Sequence, residues 1–315
     1  MKILIRFGLV SASLMIPLHA DVLTPVQHFF GIGGQLPGEE YEDLQEEYRG
    51  RDRAPFSAAD SDLGVQEILA PTSRREPLLL DVATALYYTD NAPTTRLGGR
   101  MDSSWLWYSR VTGAWRPHLA NGWHADLGAT QEFLWFDRAA AMDYENTTLR
   151  LGVVRSFADW DDTVLFARYE YQRLTTGSFS DADYNAQRLR LGVQKAVWET
   201  ARQSVMAGVA VAYEFMAKPD ALERNSAGVQ LAHRYRITPE LYTLASWRST
   251  YYDFSDFGRE DWSHSLGLEL VWRITPAARA NVSVFYDQND SNSASGANDY
   301  KVWTAGAGLG FIYSF

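Results

Sequence analysis

The sequence predicts an all-β chain: a transmembrane antiparallel β-barrel of about twelve strands, preceded by an N-terminal periplasmic arm. Apolar and polar residues alternate with a period of two along many short segments, which is typical of strands with two different environments. The connections between these segments alternate between short and long, as the turns and loops of a membrane barrel do. Aromatic residues also make up 14% of the chain.

The first residues have the pattern of a secretory signal peptide. Lys2 and Arg6 precede an apolar run, Phe7–Leu18, and Ala20 offers a small residue at a cleavage site. The run is too short to span a bilayer. We therefore expect residues 1–20 to be a signal peptide that exports the chain.

The composition argues against several classes of function. The chain contains no cysteine, so it can form neither a lipoprotein anchor nor a disulfide nor a thiolate metal site. Its 39 acidic and 29 basic residues give a formal net charge of −10, which argues against a nucleic-acid partner. The mean hydropathy of −0.28 leaves a soluble β-sandwich or lipocalin-like barrel as the alternative, with the apolar faces turned inward.

Residues 21–76 form the predicted arm. They contain the charged stretch "GEEYEDLQEEYRGRDRAPFSAADSDLG", which is interrupted by Pro37, Gly38, Gly50 and Pro55. Two interpretations stay open: a disordered arm, or a folded plug or docking segment. The position and charge of the arm also suggest the hypothesis that it gates the barrel from the periplasmic side.

Residues 77–315 form the predicted barrel. Alternation is clear where Leu266, Leu268 and Leu270 share one face, because Gly267 and Glu269 then share the other. The predicted strands are Leu78–Thr89, Trp105–Trp115, Trp123–Phe136, Thr147–Phe157, Thr163–Leu174, Gln187–Trp198, Ser204–Met216, Gly228–Ile237, Leu241–Tyr252, Trp262–Ile274, Asn281–Asp287 and Val302–Phe315.

The connections indicate which end of the barrel is which. Short ones contain "ADWD", "TPE" and "TPAAR", whereas long ones contain "DNAPTTRLGGRMDSS" and "DQNDSNSASGANDY". Aromatic side chains favour the headgroup level of a membrane, and they occur near both kinds of connection. These residues are Phe157, Trp198 and Trp272 near short turns, and Trp135, Tyr213, Tyr251 and Trp262 near long loops.

The last segment, "GAGLGFIYSF", places Leu309, Phe311, Tyr313 and Phe315 on one face and small or polar residues on the other. It resembles the C-terminal signature of bacterial outer-membrane β-barrels, which ends in an alternating strand and a phenylalanine. In that family the last strand is presented to the barrel assembly machinery. The resemblance implies that these four residues are an assembly signal and that the chain lies in the outer membrane of a Gram-negative-type envelope.

If the apolar residues face lipid, the alternate residues face the lumen. A Lys or Arg on the lipid face near the midplane costs about 2–4 kcal/mol, so this sorting is physically enforced. The candidate lumen-lining residues are Arg110, Arg150, Arg168, Arg188, Arg190, Arg234, Arg236, Arg248, Arg273, Asp126, Glu132, Glu170, Glu214 and Glu269.

Two interpretations of the lumen compete. The arginines either pair with the carboxylates and fill the barrel, or form a ladder that guides anionic solutes. The predicted function is therefore a porin-like channel for small anionic solutes. The alternative is a closed structural or export-assisting barrel whose arm binds a periplasmic partner.

The sequence gives no catalytic site. Ser263 and Ser265 flank His264, but neighbouring residues of a strand point to opposite faces, so neither serine shares a face with the histidine. The loop "DQNDSNSASGAND" has oxygen ligands without the complete pattern of a calcium loop. We therefore predict that the chain is not an enzyme and has neither a metal site nor a cofactor.

Overall fold

The computed structural model describes residues 78–92, 103–120, 123–138, 140, 143–157, 163–176, 182, 184–200, 202–255, 258–275, 277–292 and 299–314. The predicted signal peptide, the predicted arm and Phe315 lie outside these residues. Within the described ranges there is no helix long and apolar enough to cross a membrane.

The described chain is built from antiparallel strands that pair mainly with their neighbours in sequence. One 3₁₀ turn, Asp220–Leu222, lies between β8 and β9. The strands are β1 Leu78–Thr89, β2 Ser104–Trp115, β3 His118–Ala120, β4 Trp123–Phe136, β5 Tyr144–Phe157, β6 Thr163–Thr176, β7 Tyr184–Glu199, β8 Gln203–Lys218, β9 Arg224–Arg236, β10 Leu241–Phe254, β11 Arg259–Arg273, β12 Ala278–Ser291 and β13 Tyr300–Ser314.

The sheet closes on itself. β1 pairs with β13, from Leu79 opposite Ser314 to Thr89 opposite Thr304, and also pairs with β2 along its whole length. β3 is a three-residue segment beside the start of β4, while β2 pairs with β4 directly, so twelve strands form the wall. Closure pairs each of these twelve strands on both sides, so a barrel of this kind satisfies its backbone hydrogen bonds within the wall. The predicted number of strands is confirmed.

The two faces of the wall have opposite chemistry. Large apolar side chains are exposed on the outside; examples are Leu151 at 56%, Val282 at 61% and Leu268 at 52% exposure. The inner face buries charged groups, among them Asp126 at 0% and Glu132 at 1%. A soluble barrel would have the reverse arrangement, because water favours polar atoms outside. The outer face therefore fits lipid, and the chain is a transmembrane β-barrel.

Tryptophans mark both ends of the outer face. Trp198 and Trp272 are exposed close to the short turns, and Trp135 and Trp262 are exposed close to the long loops. The end with the turns after β7, β9 and β11 is called the short-turn end below; in membrane barrels this end is periplasmic. The opposite end is the long-loop end.

The last strand has the predicted faces. Leu309, Phe311 and Tyr313 are exposed on the outside, and the inner face carries small residues. The small residues are needed for packing at the closure: a Cβ on Gly306 would lie 2.2 Å from the carbonyl oxygen of Leu86, beside the buried Tyr87 ring. The orientation of this strand is confirmed, while its role as an assembly signal stays a prediction.

Several strands are longer than predicted. β12 continues to Ser291, beyond the predicted end at Asp287, so Asn289 and Asp290 belong to a strand and not to the predicted long loop. β9 and β11 likewise begin earlier, at Arg224 and Arg259. The extra residues continue antiparallel pairing with the neighbouring strands, and this pairing outweighs the low strand propensity of Asp and Asn.

Candidate functional site: the barrel interior

All the predicted lumen residues lie on the inner face, as the exposed apolar residues on the alternate positions show. They divide into three groups with different surroundings. On the inner face of β2 to β6, here called the compensated wall, the arginines and carboxylates are nearly balanced. Its arginines and carboxylates are Arg110, Arg116, Arg150, Arg168, Asp126, Glu132 and Glu170.

Asp126 is the centre of the compensated wall. Its Oδ1 lies 3.0 Å from Nε of Arg116 and 3.4 Å from Nε of Arg150, and its Oδ2 lies 2.6 Å from Nε of Arg168. Glycines make this convergence possible: a Cβ on Gly128 would lie 2.6 Å from Nε of Arg150. One buried carboxylate thus holds three guanidinium groups, from β5, from β6 and from the residue that follows β2.

A hydrogen-bonded network without a bound guanidinium lies beside this centre. The Glu132 carboxylate accepts a hydrogen bond of 2.7 Å from the Tyr108 hydroxyl and one of 2.6 Å from the Asn146 amide. Gln172 in turn donates to the amide oxygen of Asn146 over 2.9 Å. These side chains are buried, so this part of the lumen is filled by protein.

A third group lies where the sheet closes. Arg110 donates to Oδ2 of Asp81 over 2.8 Å, and Nη2 of Arg279 lies 3.8 Å from the same oxygen. Glu269, the other carboxylate of this region, accepts a hydrogen bond of 3.1 Å from the amide of Asn281. Two arginines therefore share Asp81.

The inner face of β7 to β10, here called the basic wall, has a large excess of arginine. Glu214 is its buried carboxylate, with Glu199 at the short-turn rim. The Tyr184 hydroxyl donates to Glu214 over 3.0 Å, and the backbone N–H of Arg224 donates to it over 3.3 Å. The arginines of this wall are Arg188, Arg190, Arg224, Arg234, Arg236 and Arg248.

Three of these arginines illustrate the range of neighbours on this wall, from a carboxylate to an amide and an aromatic ring. Arg188 is paired with Glu170 of the neighbouring strand at 2.7 Å. Arg248, in contrast, donates to the amide oxygen of Gln230 over 3.3 Å, and the Arg224 guanidinium stacks over the Tyr252 ring with its carbon 4.5 Å from the centroid. The guanidinium charge on this wall exceeds the carboxylate charge.

A cavity with a volume of about 80 Å³ opens against the basic wall. Its lining includes Arg188, Arg190, Arg224, Arg248 and Glu214, together with the uncharged polar groups of Gln172, Gln230 and Thr250. The cavity exists because β8 and β9 carry small residues on this part of their inner faces; these are Ala210, Ala212, Ser226 and Gly228.

Sequence reasoning missed some residues of the interior. Arg224 and Arg259 were assigned to loops, and Arg116 and Arg279 were not selected, although all four lie on the inner face. The signal for Arg224 was present, because counting back in steps of two from the inner positions of β9 reaches it. The missed acidic residues are Asp261, which pairs with Arg259, and Asp287, which accepts a hydrogen bond from Ser265.

The serines around His264 face inward, as predicted. Ser263 and Ser265 are buried, and the His264 ring lies on the outer face, where it stacks on Trp262 with centroids 6.3 Å apart. The structure also places Ser249 of β10 directly opposite His264, a neighbour that the sequence analysis did not consider. The positions of these side chains thus follow from strand pairing and aromatic packing.

Comparison with known proteins rests on structure. No protein-family model and no curated protein matches the chain. Among solved structures, an outer membrane channel from Pseudomonas putida F1 is similar with a TM-score of 0.54 and 13% identity, covering 76% of this chain and 98% of that one. A bacterial polysaccharide outer membrane secretin has a TM-score of 0.43 and 7% identity, covering 76% of this chain and 99% of that one. The KdgM porin in complex with disordered oligogalacturonate has a TM-score of 0.41 and 12% identity, covering 74% of this chain and 99% of that one. The similarity to the first of these structures, with its TM-score above 0.5, shows that the chain has the fold of an outer-membrane β-barrel.

Proposed function

We propose that the barrel is a porin-like channel that passes small anionic solutes along its basic wall. The observation that carries the proposal is the cavity bordered by four arginines and a single carboxylate, Glu214. Each guanidinium presents a planar fork of donors that fits a carboxylate, phosphate or sulfate group. An excess of fixed positive charge beside a low-dielectric wall attracts anions and repels cations.

The partners on this wall suit transient binding. Arg248 is bonded to an uncharged amide, Gln230, and a solute carboxylate makes a stronger, charge-assisted bond in its place. The polar groups of Gln172 and Thr250, which also line the cavity, offer further hydrogen bonds to the rest of the solute. A sequence of moderate sites allows a solute both to enter and to leave.

A second function, a closed structural or export-assisting barrel whose arm binds a periplasmic partner, is favoured by a different observation. The networks around Asp126 and Glu132 fill the lumen beside the compensated wall with bonded side chains. If similar contacts closed the basic wall, the barrel would conduct nothing.

Ion conductance in a planar bilayer with a salt gradient separates the two functions. We expect openings whose reversal potential shows anion selectivity. The double variant Arg190→Gln and Arg248→Gln should lower the anion-to-cation permeability ratio at least tenfold, since even one lost charged contact is worth about 1.5–3 kcal/mol. Arg138→Gln is the matched control, because Arg138 lies exposed beyond β4 and pairs with Asp137. Silent membranes, or equal selectivity in all three proteins, would refute the channel.

A further inference from the structure

Arg155 is an arginine on the outside of the barrel, close to the short-turn end. It lies on β5, directly opposite Trp123 of β4 in the strand register. It continues the alternate positions of Leu151 and Val153, which are exposed on the outer face, so its side chain belongs to that face. Phe157, the last residue of β5, follows on the same face. Neither the networks of the lumen nor the proposed channel therefore account for Arg155.

The guanidinium group of Arg155 is held against two aromatic rings. Its central carbon lies 4.3 Å from the centroid of the Phe157 ring and 5.2 Å from the centroid of the Trp123 ring. A cation within about 6 Å of a ring centroid is attracted to the ring face. Stacking of this kind fixes the plane of a guanidinium and leaves its N–H donors, which lie in that plane, directed away from the rings. The aromatic pair thus orients a donor fork.

The described residues give this fork no acceptor. The Nε atom of Arg155 is buried and has no hydrogen-bond partner, and the group forms no ion pair within the described part of the chain. The hydrocarbon of a bilayer supplies no acceptor either. The lipid headgroups do, and barrels place their aromatic side chains at the level of these headgroups. The end of β5 therefore brings an unsatisfied donor fork to the depth of the lipid phosphates.

We infer that Arg155, together with Trp123 and Phe157, binds the phosphate group of a phospholipid in the periplasmic leaflet. The guanidinium donates to two phosphate oxygens, the bidentate arrangement that arginine makes with phosphate groups. The two rings hold the fork in place and pack beside the glycerol part of the same lipid. Leu165 of β6 is directly opposite Arg155 and is exposed, so it gives the acyl chains an apolar surface beside the site. This inference goes beyond the proposed channel, because the site lies on the outside of the wall.

Native mass spectrometry of the full-length protein in detergent micelles, titrated with dilauroyl phosphatidylglycerol, tests the site. The natural chain should bind one lipid molecule more tightly than any further ones. Arg155→Gln should weaken the binding of this first lipid about tenfold, because a charge-assisted contact is lost. The matched control is Arg173→Gln, which removes an outer-face arginine at the long-loop end of β6 and should leave the affinity unchanged. Equal affinities of the natural chain and Arg155→Gln would overturn the inference.

Two further variants separate the geometry of the site from its charge. Arg155→Lys keeps the charge but replaces the planar fork by a single ammonium group, so it should retain only part of the affinity. Trp123→Leu keeps an apolar side chain and removes one stacking ring, so it should weaken binding severalfold. A cooperative urea transition verifies that each variant is folded. If both variants bound the lipid as tightly as the natural chain, the stacked fork would not be the binding site and the inference would fail.

The source of the phosphate is decided by two other ligands. Dilauroylglycerol, which has the same acyl chains without a phosphate, should bind equally to the natural chain and to Arg155→Gln. Millimolar inorganic phosphate, which offers the same oxygens without acyl chains, should not displace the phosphatidylglycerol. Displacement by inorganic phosphate, or a loss of dilauroylglycerol binding in Arg155→Gln, would overturn the assignment to a phospholipid. A barrel that failed to conduct would leave these results intact, so the site and the channel are tested separately.

Discussion

The compensated wall and the basic wall are built from the same residue types on the same kind of strand, yet only the compensated wall has nearly enough carboxylates to balance its arginines. On the compensated wall, Asp126 binds three arginines and is completely buried. On the basic wall, arginines border a cavity and have amides or rings as neighbours. The difference lies in the supply of carboxylates and in the size of the intervening residues.

This difference teaches how a narrow barrel can be both filled and open. A charge that is removed from water needs a partner, or it costs several kcal/mol. The compensated wall supplies that partner from within and becomes a rigid half of the interior. The basic wall keeps small residues such as Ala212 and Gly228 beside its arginines, which leaves room for a partner from outside.

The largest expected effect comes from removing the buried carboxylate of the compensated wall. Asp126→Asn leaves three guanidinium groups without their shared anion and should lower the free energy of unfolding by about 3–5 kcal/mol. Glu214→Gln makes the matching change on the basic wall, where the arginines border the cavity, and should cost about 1 kcal/mol. Urea titration of both variants in lipid vesicles, followed by the tryptophan fluorescence, measures the difference.

Equal losses in the two variants would contradict the distinction between the walls. Asp137→Asn serves as a control for handling, because Asp137 is exposed beyond the end of β4. It should unfold like the natural chain. A control that is also destabilised would mean that any lost carboxylate harms the barrel.

A smaller effect is expected from the two tyrosines that donate to buried glutamates. Tyr108→Phe removes one of the two donors of Glu132 and should cost about 1–3 kcal/mol, because a buried carboxylate is then left partly unsatisfied. Tyr184→Phe removes the corresponding donor from Glu214, which keeps the backbone N–H of Arg224 and the nearby guanidinium groups. The Tyr184→Phe variant should lose clearly less free energy of unfolding than Tyr108→Phe in the same urea titration. The reverse order would show that Glu214 is the less well supported carboxylate.

The faces of the barrel were predictable from the sequence, whereas the contacts inside it were not. Alternation with period two is a property of each strand alone, so Leu268 outside and Glu269 inside follow without any knowledge of the fold. The grouping of Arg116, Arg150 and Arg168 around Asp126 depends on the stagger between four strands, which no single segment contains.

The cavity was missed for a related reason. Three of its four arginines, Arg188, Arg190 and Arg248, were selected as candidates, but its existence depends on small residues from two adjacent strands lying side by side. Ala210 and Ala212 of β8 face the same interior space as Gly228 of β9. Alternation predicts the direction in which such residues point, but it does not predict which small residues become neighbours across strands.

The smallest change in a side chain is the addition of one methyl group at matched glycines. A Cβ on Gly128 would lie 2.6 Å from Nε of Arg150, and a Cβ on Gly208 would lie 2.8 Å from the side-chain nitrogen of Gln230. The two clashes are similar in distance, but the side chains that would have to move differ in how firmly they are held. Arg150 is held by Asp126, so Gly128→Ala should cost about 1–3 kcal/mol as the ion pair is displaced. Gln230 lies at the cavity and can turn into it, so Gly208→Ala should cost less than 1 kcal/mol, about the scale of a tolerated core change.

Gly113→Ala, where a Cβ meets nothing within 4 Å, is the control for adding a methyl group to a strand. If Gly208→Ala proved as harmful as Gly128→Ala in urea titration, the side chains of the basic wall would be as firmly fixed as those of the compensated wall, and the room for a solute would be lost.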